Sequence, residues 1–170
     1  MREWQIANGK WQRAKSKWQR SDHMKIFYAG VKYANYDPKR GTSFEHNNFY
    51  LSLCKFPGAE ARYFPFDRIL EVGKEAYNRE LLRAVKEEKP DLLFVFMAYD
   101  ELDKRVLEEI KKYTTSVAWF ADDSWRFWNY SRFWAKNFSW VVTTFFWMPE
   151  LYKKAGQPSV LRSHWAANTD

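Results

Sequence analysis

Asp122 and Asp123 stand side by side at the end of the apolar run Ser116-Val-Ala-Trp-Phe-Ala121, and Ser124-Trp-Arg-Phe-Trp-Asn-Tyr130 follows them directly. Carboxylates displayed where a buried strand ends can accept hydrogen bonds from hydroxyl groups, take up a proton, or hold Mg²⁺. One adjacent pair with no third carboxylate nearby is a poor metal site, which leaves hydroxyl chemistry as the better use. The competing use is structural, because Asp and Ser are preferred caps for a following helix.

A second group of polar residues follows the run Lys25-Ile-Phe-Tyr-Ala-Gly30. There Arg40-Gly41-Thr42-Ser43 brings together a cation, a flexible glycine and the free N–H groups of a helix start, a combination that suits an anionic or polar ligand or forms a plain turn. Thr42-Ser-Phe-Glu45 matches a capping box. His46, one turn in, faces either the crevice or solvent and is a candidate base. Asp100 closes the run Leu92–Ala98, and Trp125 begins a helix with rings on too many faces for one buried stripe. Half of those rings are expected in the core, and the rest on a ligand or partner.

These residues need a scaffold, and the apolar pattern predicts one. Strands are expected at Lys25–Gly30, Ala61–Asp67, Leu92–Ala98, Ser116–Ala121, Ser139–Thr144 and Ser159–Ser163. Helical segments separate them over 42–55, 72–89, the stretch after Asp100, 125–137 and 149–155, with Pro57-Gly58, Pro90 and Gly156 as stops. Six strands alternating with helices make an α/β protein, a doubly wound Rossmann-like parallel sheet with helices on both faces. In the common strand order 3-2-1-4-5-6, ligands sit where the order reverses between strands one and four. That order predicts the Gly30 to Gly41 loop beside Asp122 and Asp123.

Several functional classes lack their residues. Gly30 is followed by Val-Lys-Tyr-Ala-Asn, without the glycines of a dinucleotide fingerprint, and neither a P-loop nor a Gly-x-Ser-x-Gly elbow occurs. His23, His46 and His164 have no partners at metal-ligand spacing, so no metal centre is expected. The single Cys54 excludes an internal disulfide and favours a reducing, cytoplasmic setting. Its neighbours Leu51, Leu53 and Phe56 predict a core thiol. No apolar run approaches the ~20 residues of a membrane span, which leaves membrane contact peripheral at most.

More than half of the +7 net charge lies in residues 1–23, where Trp-Gln recurs at Trp4, Trp11 and Trp18 among Lys and Arg. The heptad template fails for want of a second apolar position. This segment reads as a disordered extension, or as upstream sequence before a start at Met24. A nucleic-acid partner is not expected, because the remaining chain has an ordinary charge balance.

Four spaced motifs together carry a resemblance: Ala118-Trp-Phe-Ala-Asp-Asp-Ser-Trp-Arg-Phe127, Trp140-Val-Val-Thr-Thr144, Tyr152-x-x-x-Gly156 and His164-Trp-Ala-Ala-Asn168. Over residues 24–170 the chain resembles the N-terminal half of CgeB-like proteins, glycosyltransferase-like proteins first associated with spore maturation. The resemblance implies a GT-B architecture, with two Rossmann-like domains across a cleft. The N-terminal domain handles the acceptor and the C-terminal one binds a nucleotide sugar. The chain reaches Asp170 about where that second domain should begin, so the donor half is expected to be missing and the 170 residues alone to transfer sugar poorly.

The implied partners are that donor domain and a glycan, lipid-linked or protein acceptor. No cofactor is implied beyond the nucleotide sugar as donor substrate. Asp122 and Asp123 would contact or deprotonate acceptor hydroxyls, with His46 as an alternative base. Gly30, Arg40, Gly41, Thr42, Ser43, Asp100, Trp125 and Asn168 would bind substrate. The reading from a different class is a non-catalytic Rossmann-like module whose aromatic surface docks a partner.

Overall fold

Residues 23–164 are described in the computed structural model, and within them the alternation of apolar runs and helical periods becomes a six-stranded, all-parallel sheet. The strands are β1 (Met24–Gly30), β2 (Ala59–Pro65), β3 (Leu92–Phe96), β4 (Thr115–Trp119), β5 (Trp140–Thr143) and β6 (Val160–Arg162). The main helices are α1 (44–55, π-helical over His46–Tyr50), α2 (Lys74–Glu88), α3 (Lys104–Ile110), α4 (123–135, π-helical over Phe127–Ser131) and α5 (Met148–Lys154). Asn168 and almost all of the Trp-Gln repeat lie outside the described residues.

The α/β Rossmann-like fold is therefore as expected, but the strand order is not. It runs β2-β1-β3-β4-β5-β6, so the sheet reverses between β1 and β3 rather than between β1 and β4. Phe27, Tyr28 and Ala29 of β1 pair directly with Leu93, Phe94 and Val95 of β3. Strand β1 keeps β2 as its other neighbour, so β3 takes the place expected for β4 and leaves the partly exposed β2 at the sheet edge.

Right-handed crossovers then divide the helices unequally. The step from β1 to β2 runs in one direction and every later step in the other, which sends α1 to one face and α2 to α5 to the opposite face. On the many-helix face, Phe27, Leu93, Val95, Ala118 and Val141 pack under Leu81, Val85, Leu107, Phe127 and Tyr152. On the α1 face, Tyr28, Phe96, Trp119 and Val142 meet Phe49, Tyr50 and Leu53.

Local details also differ from expectation. Cys54 is exposed rather than buried, because α1 turns Phe49 and Leu53 to the sheet and Cys54 to solvent. Phe44 and Leu51 on the same helix are exposed as well. The cap of α1 is Ser43 rather than Thr42: the Ser43 Oγ accepts from the His46 N–H at 3.0 Å and donates to the Val31 carbonyl at 2.6 Å. Strand β2 begins two residues earlier than expected and ends at Pro65, where a missing N–H costs the ladder nothing.

Candidate functional site

All six strands point the same way, so their following loops collect at one edge of the sheet. At the reversal point the loop after β1 and the loop after β3 are neighbours, which brings Gly30 and residues 31–43 alongside Met97 to Glu101. Asp122 and Asp123 follow β4, one strand further along. The expected direct apposition of the β1 loop and the acidic pair is thus replaced by a longer rim with the β3 loop at its centre.

The β1 loop is tightly held. Gly30 ends β1 beneath the Tyr28 ring: a Cβ there would lie 2.6 Å from the Tyr28 hydroxyl oxygen, a distance no side chain tolerates. Beyond it, the Asp67 carboxylate accepts from the N–H groups of Lys32 (2.6 Å) and Tyr33 (3.2 Å). Asn35 and Tyr36 both have positive φ, a conformation Asn tolerates and Tyr rarely adopts. Two such residues in succession must be held by their surroundings. Part of that hold is the Tyr36 hydroxyl, which donates to Glu101 Oε1 at 2.8 Å.

Glu101 is the residue at this edge that the sequence did not single out. It is 6% exposed, and its two carboxylate oxygens accept from the Tyr99 N–H at 2.9 Å each. Burial pushes its pKa up, against the opposing effect of these hydrogen bonds. Glu101 therefore clamps the β3 loop to the β1 loop. Nothing in its spacing marks it, since its importance comes from a partner 65 residues away.

The Arg40–Ser43 corner is less available than its composition suggests. The N–H groups of Arg40, Gly41 and Ser43 donate to Asp37, Pro38 and Lys32 carbonyls, so they are not free to hold an anion. Gly41 has φ 78°, Thr42 donates to Asn47, and Arg40 is an exposed side chain 3.8 Å from Asp37. Asp100 is exposed and pairs with Lys74 at 3.0 Å.

His46 lies over Tyr50 and Tyr63, with ring centroids 5.4 and 5.5 Å away. Its Nδ1 is buried without a hydrogen-bond partner among the described residues. Burial lowers its pKa, aided by Lys32 and opposed by Asp67. The ring is thus neutral at neutral pH and able to accept a proton, on the β1–β2 side of the rim.

The acidic pair is divided. Asp122 adopts a left-handed conformation (φ 59°, ψ 22°) and is exposed, whereas Asp123 is fully buried. Neither side chain caps α4. The cap is made by the Asp122 carbonyl, which accepts from Trp125 and Arg126. Asp123 Oδ2 accepts from the Tyr152 hydroxyl at 3.0 Å inside the many-helix core. Burial raises the Asp123 pKa against the hydroxyls of Thr143 and Tyr152. Thr143 acts there by proximity, since Oδ1 has no partner of hydrogen-bond geometry among the described residues. The carboxylate able to meet a ligand is Asp122, and Asp123 anchors the turn that displays it.

Trp125, three residues after Asp122, is 64% exposed, and Tyr99 on the β3 loop is equally open. Arg126 reaches back from α4 to the Ala98 carbonyl at 2.6 Å, and the Tyr130 hydroxyl donates to the Tyr99 carbonyl, which ties α4 to the β3 loop. Asp122, Trp125 and Tyr99 therefore share one stretch of the rim. A depression of about 660 Å³ along α2, beside Arg79, Arg83 and Lys86, is formed by helix surface rather than by strand-end loops. Among the described residues, no three His, Cys, Asp or Glu side chains converge as a metal ion requires, and no helix is long and apolar enough to cross a membrane.

Comparison with protein-family models, with curated proteins and with solved structures found no match to this chain.

Proposed function

We propose that the chain is the acceptor-side domain of a glycosyltransferase, and that the rim carrying Asp122, Trp125 and Tyr99 receives the sugar acceptor. The observation that supports this reading is an exposed carboxylate on a rigid turn beside exposed rings at the carboxyl edge of a Rossmann-like sheet. Sugars are recognised by that pairing: a ring stacks on the apolar face of the pyranose while a carboxylate accepts from its hydroxyls. The four motifs that resemble CgeB-like proteins carry the reading from glycan binding to glycosyl transfer. In that role Asp122 orients an acceptor hydroxyl and takes up its proton as the oxygen attacks the anomeric carbon of a nucleotide sugar, whose bond to the phosphate oxygen breaks and releases the nucleotide. That donor is held by a second domain. Asp123 is a positioning residue, and neutral His46 is the alternative base.

Acceptor binding is tested by titrating the 170-residue chain with oligosaccharides and following tryptophan fluorescence. Trp125→Ala and Asp122→Asn are each expected to weaken binding about tenfold, the size of one lost charge-assisted hydrogen bond or stacking contact. Binding that is absent, or unchanged in both variants, overturns the reading. A non-catalytic module is the second reading, favoured by the exposed rings beyond Trp125. It predicts that adding a nucleotide sugar and a donor domain yields no transfer.

A further inference from the structure

Helix α4 carries an outward stripe that neither the core nor the proposed acceptor site uses. Phe127 and Ala135 face the core with part of Tyr130 and Trp134, while Trp128 and Phe133 are 59% and 46% exposed and Lys136 follows, exposed, at the helix end. The Arg132 guanidinium carbon lies 5.3 Å from the Trp128 ring centroid and 4.5 Å from that of Phe133, so rings and charge form one continuous surface. Strand β5 lies next to β4, and the loop after it exposes Phe146 (73%) and Trp147 at the edge from which α4 starts. From Ser124 to Met148 the chain contains Arg126, Arg132 and Lys136 and not one Asp or Glu.

We propose that this face docks on an anionic lipid bilayer, with α4 lying in the headgroup layer. Trp and Phe bury their rings at the headgroup–acyl boundary, and Arg and Lys lay their stems along that apolar surface while their charges meet anionic lipid. The absence of acidic side chains within 124–148 selects this occupant. A second copy of the chain would set the same cations against one another, with carboxylates only at the borders of the segment (Asp122, Glu150, and Glu108 beside Asn137), and a neutral glycan has no use for the cations. The proposal does not rest on glycosyl transfer, and its test leaves Asp122 and Trp125 untouched.

The test is flotation of the full chain with vesicles of phosphatidylcholine, with and without phosphatidylglycerol. The chain is expected to float with the phosphatidylglycerol vesicles and to be released by salt. Trp128→Ser and Phe146→Ser, on separate segments, should each lower partitioning about tenfold with unchanged circular dichroism. Arg132→Gln and Lys136→Gln should each lower it about fivefold. The basic Trp-Gln repeat is the internal rival, so Trp4→Ser/Trp11→Ser/Trp18→Ser should leave flotation unchanged. The proposal is overturned by any of four results: no flotation, equal flotation of the Trp128 and Phe146 variants, loss confined to the repeat variant, or rings that instead drive lipid-free dimerisation.

Discussion

Asp122 and Asp123 are chemically identical neighbours with opposite fates, and the cause is one backbone turn. The left-handed conformation at Asp122 throws its side chain to solvent, and the first turn of α4 carries Asp123 inward to Tyr152. Because burial raises the folded pKa of Asp123 above its ordinary 3.8, the folded state holds a proton more readily than the unfolded chain does. The stability from the protonated form is complete below 3.8 and is lost as pH rises through the raised folded value. Asp123→Asn is therefore expected to abolish this component and flatten stability across that window, as measured by urea unfolding at a series of pH values. Tyr152→Phe, which strips Oδ2 of its donor, should cost about 3 kcal/mol at neutral pH and less on acidification. His46 behaves with the opposite sense: its lowered folded pKa gives stability that is present above 6.5 and lost as pH falls through the folded value.

Helices and strands were largely legible from periodicity, and their joints were not. Strand β3 and helices α2 and α5 fall within a few residues of the expected positions, because their apolar spacing and their Pro and Gly stops are local signals. The capping-box pattern points to Thr42 as the start of α1, and it carries no sign that the Ser43 hydroxyl caps the helix and ties back to Val31. Ser43 joins the end of β1 to the first turn of α1, and it is buried. Ser43→Ala is expected to destabilise the protein by about 1–2 kcal/mol, read as a lowered urea midpoint with unchanged slope. Ser43→Thr, which keeps the oxygen, should recover most of this. Ser43→Ala also loosens the β1 loop, so faster amide exchange is expected at Lys32 and Tyr33, whose N–H groups are held by Asp67.

The whole molecule is asymmetric about its sheet. Helices α2 to α5 share one face, while among the described residues α1 alone packs on the other, over the aromatic floor of Tyr28, Phe94, Phe96 and Trp119. Phe49 is its anchor, with ring centroids 5.0 to 5.8 Å from those of Trp119, Phe96 and Phe94. Phe49→Ala is expected to cost about 3 kcal/mol and to speed hydrogen exchange in α1 and β2 before the rest of the sheet. Loss spread evenly over both faces would show that α1 is not an independent unit. Sequence alone determined the α/β class, the six strands and the residues at their carboxyl ends, because hydrophobic period and helix stops are encoded within a few neighbouring positions. Tertiary structure decided the β1–β3 reversal, the clamp of Glu101 on Tyr36, the burial of Asp123 beside an exposed Asp122, and the exposure of Cys54. Each of these depends on which distant segment lies alongside, and local spacing carries no record of that.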